Sequence, residues 1–219
     1  MSRFAPLALA AAISAPLPAL AHPHVFIDAG LEIIFDEAGQ LTHIKVTWAY
    51  DDFYSLLMAE DMGFDKDGDG ALTPDEEAQL SGFDANWIEG FNGDLVATLE
   101  GQPLQLSNPI ESTARMIMGR IVSTHLREVA GTPAVAGDTL SIKVFDETFY
   151  TAYDLTLPVT LVGASGCLSE RFDPDIDAEM ARMQAMLLTI DESADLEEME
   201  IPLIGEAFAT DLQITCPGS

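Results

Sequence analysis

Two clusters of residues could do chemistry, and both would hold metals. The first is His22-Pro23-His24, which directly follows Ala19-Leu20-Ala21, a small-x-small site of the kind cut by signal peptidase. Cleavage after Ala21 would leave the amine and imidazole of His22 free to close on one ion, with His24 as a further nitrogen ligand. Pro23 has no amide proton to lose, so the square-planar site built from a free amine, two backbone amides and a third-position histidine is excluded. Two nitrogens from one residue bind weakly, so the set must be completed from elsewhere. Asp28, on the same strand face as His24, and the two other imidazoles of the chain, His43 and His125, are the candidates. Imidazole suits zinc, nickel and copper alike, so this ligand set does not choose among them.

The second cluster is Asp65-Lys66-Asp67-Gly68-Asp69-Gly70-Ala71-Leu72-Thr73-Pro74-Asp75-Glu76, which follows the calcium-loop pattern of an EF-hand. Calcium takes six to eight hard oxygens. Asp65, Asp67 and Asp69 would supply carboxylates, Ala71 a backbone carbonyl, Thr73 a hydroxyl or a bound water, and Glu76 a bidentate carboxylate, with Gly70 making the sharp turn. No second loop of this kind occurs, so a structural clamp is expected in place of a paired sensor.

The elements that must position these groups follow from periodicity. His24 to Phe35 and Leu41 to Trp48 read as a β-hairpin about Asp36 to Gln40, with Ile44, Val46 and Trp48 on one face. Asp51 to Met62 and Pro74 to Phe91 read as helices flanking the calcium loop, the first by Phe53, Leu56, Leu57 and Met58 near helical spacing and the second by the stripe Leu80, Phe83, Trp87 and Phe91. Strands are expected in Asp94 to Glu100, Pro103 to Leu106, Arg115 to Leu126, Thr139 to Phe145, Ala152 to Val162 and Ala209 to Thr215, although Met116 to Leu126 also has helical propensity. Pro174 to Ile190 reads as an amphipathic helix whose Ile176, Met180, Met183 and Leu187 face a core, a better reading of the methionines than a copper site. Asp191 to Glu200, with six acids, reads as a solvated loop. The expected fold is α+β and mainly antiparallel β, sandwich-like. It would comprise a signal peptide over 1–21 and one β-rich domain over 22–219, with an EF-hand-like insertion at about 51–91 and a helix towards the C-terminus.

Composition sets the compartment and the partners. Arg3 and the apolar stretch from Phe4 to Leu17, broken by Pro6 and Pro16, make an export signal too short for the roughly 20 residues of a membrane span. A soluble periplasmic product with no membrane span is expected. In an oxidising compartment the only two cysteines, Cys167 and Cys216, should pair as a disulfide, with a two-thiolate metal site as the alternative. Nine Lys and Arg against 37 Asp and Glu give a formal net charge of −28. Nucleic acid is thereby an unsuitable partner, whereas cations and basic protein surfaces suit it.

Ala21 to Asp28, the strand ending in Thr47-Trp48, the calcium-type loop, Phe145-Asp146-Glu147-Thr148-Phe149-Tyr150, and the late Cys167 and Cys216 together resemble a domain-of-unknown-function family, number 1007. Its exported members are labelled the periplasmic component of an uncharacterised ABC-type transport system. The resemblance implies association with an inner-membrane transition-metal transporter. The acidic segment Asp173 to Glu200 departs from the family pattern.

No nucleophile elbow, phosphate loop or His-Glu-x-x-His helix occurs, so a non-enzymatic metal-binding accessory role is expected. The rivals are a calcium-stabilised β-domain for protein-protein interaction and a copper-brace redox enzyme.

Overall fold

The computed structural model describes residues 23–187 and 203–218. The expected signal peptide, His22, the end of the predicted C-terminal-region helix and the acidic stretch Asp191 to Glu200 lie outside the described residues.

Strict alternation builds the first sheet. Strand β1 (Val25–Phe35) turns Ile27, Ala29, Leu31 and Ile33 inward, and β2 (Leu41–Tyr50) turns Ile44, Val46 and Trp48 inward. The two pair antiparallel with Leu31 opposite Val46. The turn between them is held by Asp36, whose Oδ1 accepts from the backbone N–H groups of Ala38 and Gln40. Strands β3 (Leu95–Leu99), β4 (Gln102–Pro103), β5 (Ile110–Ile117), β6 (Arg120–Glu128), β7 (Thr139–Val144), β8 (Thr151–Asp154), β9 (Val159–Val162), β10 (Leu168–Phe172) and β11 (Asp211–Thr215) complete two sheets. One runs β5-β6-β2-β1-β8, with β9 also pairing β1; the other runs β10-β11-β7-β3-β4.

Pairing is mainly antiparallel, and β8 and β9 alone lie parallel to β1 among the described strands. Leu95, Ala97, Leu140, Ile142, Leu212 and Ile214 of the second sheet share one apolar core with the inward residues of the first. The fold is therefore α+β, dominated by two packed antiparallel sheets. The segment Met116 to Leu126 is strand, not helix: Met118 and Gly119 adopt positive φ of 51° and 78° and reverse the chain into a hairpin.

Helix α1 (Asp52–Met62) starts where expected, with Asp51 as N-cap accepting from the Tyr54 N–H. Its orientation departs from the apolar spacing, because Ser55 and Ala59 face the sheet while Phe53, Leu56 and Leu57 are exposed.

The second predicted helix is much too long. Helix α2 covers only Pro74–Leu80, and the chain then turns at Gly82, whose φ is +80°. Leu80, Phe83 and Trp87 still pack on the core, but Phe83 and Trp87 do so from irregular backbone. Their i, i+3, i+7 spacing imitates a helix by burying residues one at a time. Gly93 permits this, since a Cβ there would lie 2.1 Å from the Trp87 ring. Helix α3 (Ile176–Leu187) packs Met183 and Met180 against Phe149 and Phe208, so these methionines do face a core, a small one separate from that between the sheets. Ile176 at the start of α3 is exposed.

Candidate metal centre

The acidic loop is built by its own backbone. Helix α1 stops at Gly63 in the left-handed region (φ 70°), and Phe64 is buried beside it as an anchor. Gly68 and Gly70 take positive φ of 69° and 76°, which folds the loop back on itself. The Asp65 carboxylate accepts from the N–H groups of Asp69 (3.0 Å) and Gly70 (3.2 Å), and Asp69 Oδ1 accepts from Ala71 N–H (2.9 Å). Carboxylate oxygens of Asp65, Asp67 and Asp69 lie within 4.8 Å of one another. Among the described residues no other three His, Cys, Asp or Glu side chains converge in this way. Hard oxygens this close, with the loop's Lys66 as the nearest sequence cation, fit calcium by charge and ligand type.

Glu76 stands somewhat apart from the trio. Its Oε2 accepts from the Thr73 N–H (2.9 Å) and hydroxyl (2.8 Å), while Thr73 Oγ1 accepts from Glu76 N–H, a capping box that starts α2. The Thr73 N–H, then the Thr73 hydroxyl, with a smaller contribution from the Asp65 N–H, hold its carboxyl below the usual range. The segment is thus helix, loop and a two-turn helix, the second helix ending at Leu80, well before the expected Phe91.

The β5–β6 hairpin is bonded to this segment. Gly119 N–H at the β5–β6 turn donates to the Gly70 carbonyl (3.2 Å), Ile121 N–H to Ser55 Oγ (2.9 Å), and Ala114 N–H to Ser81 Oγ (3.3 Å). Loop and both helices are each tied to the first sheet, and Leu72 packs on the core.

The residues nominated around the amino terminus are dispersed. His24 donates its N–H to the Tyr150 carbonyl (2.8 Å), and its ring lies 4.9 Å from the Tyr150 ring. Asp28 is committed elsewhere: Arg120 Nη1 lies 2.7 Å from one oxygen and the Thr156 hydroxyl 2.6 Å from the other. Chiefly through the Thr156 bond, with Arg120 adding, its carboxyl is held below the usual range despite partial burial. His43 sits on β2 between Ile34 and Glu128 of the neighbouring strands. His125 is 3 % exposed, wedged edge-on between Trp48 and Trp87. Burial first, and the Arg127 charge second, lower its pKa to about 4, so it is neutral. Its Nε2 and the Trp48 Nε1 are buried without hydrogen-bond partners. The fold does not gather His24, Asp28, His43 and His125 about one point.

Sequence reasoning missed a cleft of about 660 Å³ beside Pro23, floored by Phe149, Phe208 and Met180 and rimmed by Arg120 and Arg171. Its one legible signal was the Phe145 to Tyr150 motif. There the Asp146 carboxylate gathers the N–H groups of Thr148 and Thr151, and the Tyr150 carbonyl receives the start of β1.

Also unforeseen was a bond between the sheets, from the Tyr153 hydroxyl to Asp94 Oδ2 (2.7 Å). Burial, with smaller contributions from the Asp146 and Glu147 charges, raises the Asp94 pKa to about 7 against the opposing Tyr153 bond. A raised carboxyl pKa stabilises the fold fully below the unfolded value near 4, and this contribution is lost as pH rises through 7. Asp94→Asn keeps an acceptor for Tyr153 and tolerates the positive φ of 51°. It should flatten the stability profile between pH 4 and 7 and add on the order of 1–3 kcal/mol at pH 8. Urea melts at pH 5 and pH 8 check this; an unchanged difference between the two pH values would refute it.

Cys167 and Cys216 form a disulfide, with Cα atoms 4.1 Å apart, which displaces the two-thiolate metal site. Such a bond is compatible with export to an oxidising compartment. Among the described residues no helix is long and apolar enough to cross a membrane.

No curated protein matches the chain in sequence. The family comparison is positive and nearly complete: over residues 7–216 the sequence matches the model described as a protein of unknown function, DUF1007, and the chain belongs to that family.

Proposed function

We propose that this is a periplasmic metal-binding accessory protein, not an enzyme. It holds calcium structurally in the Asp65 to Glu76 loop and presents a transition-metal ion, zinc or nickel before copper, at the mature amino terminus to an inner-membrane metal transporter. The observation that carries the metal-binding reading is the convergence of Asp65, Asp67 and Asp69 within 4.8 Å on a loop pinned at both ends. The terminal reading is supported by the anchoring of His24. Its N–H is bonded to Tyr150, the next strand residues are fixed through Phe26 and Asp51, and Pro23 lines the cleft. With Asp28 ion-paired and His125 buried, the ligands are the amine and ring of His22 and the ring of His24, completed by water or by the transporter.

The test is metal titration of protein exported and processed in its native compartment. Zinc and nickel affinity should fall with pH, as protons compete for imidazole and amine, and should fall again when one residue is placed before His22. Equal affinities for the native terminus, the extended terminus and a His22→Ala/His24→Ala variant would overturn the terminal site. The calcium-stabilised interaction domain would then be the better reading, which the outward apolar face of α1 favours.

A further inference from the structure

We infer that the outer face of α1 is a docking surface for a basic amphipathic helix of a partner protein. Phe53, Leu56 and Leu57 are 74 %, 56 % and 44 % exposed and stand at i, i+3 and i+4, which places them side by side on one face. Scattered exposed apolar residues are ordinary, but three adjacent on one helix form a continuous patch. The opposite face needs none of them, since Ser55 and Ala59 make the contact with the sheet and the Ile121 N–H is bonded to Ser55 Oγ. Conserving the helix therefore does not require these side chains to be large or apolar. The start of the helix is fixed to β1: the Asp51 N–H donates to the Phe26 carbonyl, and Asp51 Oδ2 accepts from the Phe26 N–H.

Charge decides what covers it. From Asp51 to Gly82 the insertion carries ten carboxylates and one cation, Lys66, and the whole chain has a formal charge of −28. A second copy would bring these acidic rims together, and an anionic membrane would repel them. A helix with leucine-like residues on one side and Lys or Arg beside them meets both the apolar ridge and its rim, here Asp52, Glu60 and Asp61. This surface is independent of whether the terminus holds a metal.

The experiment uses the full processed protein in calcium-containing buffer and a synthetic amphipathic leucine-lysine helix as probe. Calorimetry should show saturable binding that weakens with salt. Phe53→Ser/Leu56→Ser, which alters exposed positions only, should reduce the affinity at least about tenfold without lowering the melting temperature. Leu168→Ser, at an exposed apolar residue of the other sheet, should leave it unchanged. A leucine-glutamate helix should not bind. Equal affinity of the double variant and the unmodified protein would show attraction by net charge alone and overturn the site. So would dimerisation lost in the double variant, or flotation of the unmodified protein with anionic vesicles.

Discussion

Calcium should raise the melting temperature of this protein, and Glu76→Gln should remove most of that rise without altering the melting temperature in chelator. The two halves of the result separate the residue's two tasks. In the capping box the Glu76 side chain only accepts hydrogen bonds from Thr73, which a glutamine oxygen also does. Calcium instead demands a bidentate, charged carboxylate, which glutamine lacks. Asp65→Ala should be worse on both counts, because that carboxylate accepts from the Asp69 and Gly70 N–H groups and also contributes to the converging trio. Its chelator melting temperature should fall as well as its calcium response. At 100 times Kd, calcium adds about 2.7 kcal/mol to the unmodified protein by mass action. For a chain of this size that is about 5–10 °C. Differential scanning calorimetry with calcium and with chelator checks it. No shift in the unmodified protein would leave the loop as a capped acidic turn with no ion to hold.

The parts of this structure legible in the sequence are those fixed by near neighbours. Ile27, Ala29, Leu31 and Ile33 alternate along β1, and a strand with one buried face has no other way to satisfy that pattern. The loop from Asp65 to Glu76 is legible for the same reason, since its carboxylates and its turns lie within twelve consecutive residues. What failed depended on distant partners. Asp28 looked available until Arg120, 92 residues away, was found against it. His125 looked like any other imidazole, and only Trp48 and Trp87 on either side make it a neutral core residue. The stripe Leu80, Phe83, Trp87 and Phe91 carried true burial but false periodicity, because Gly82 and Gly93 supply turns that a hydrophobic count ignores. On α1 the error ran the other way. Apolar residues at helical spacing marked a helix correctly, yet small Ser55 and Ala59 are what let it approach the sheet.

Replacing both Cys167 and Cys216 with serine should cost on the order of 4 kcal/mol of stability in the loop-closure model. The pair is separated by 49 residues in sequence, and that loop includes α3 and the acidic stretch, so the cross-link removes a wide range of conformations from the unfolded chain. The bond also sits where the fold has most to lose. It ties the end of β11 to the start of β10, beside the Leu168–Thr215 pair, and the Cys216 carbonyl receives the Gly137 N–H. Strand β11 lies between β10 and β7 with Leu212 and Ile214 fully buried, so fraying from its C-terminal end would open the second sheet from within. The acidic loop is tied instead to β5 and β6 of the first sheet, so any calcium affinity should change little while the fold persists. Urea melts of the oxidised, reduced and double-serine proteins decide the matter. The last two should coincide, with a midpoint well below the first and a steeper denaturant slope, because an unlinked chain exposes more surface when it unfolds. Equal midpoints for all three would mean that the two sheets hold β11 without the bond, and that the disulfide's place in the fold carries no stability.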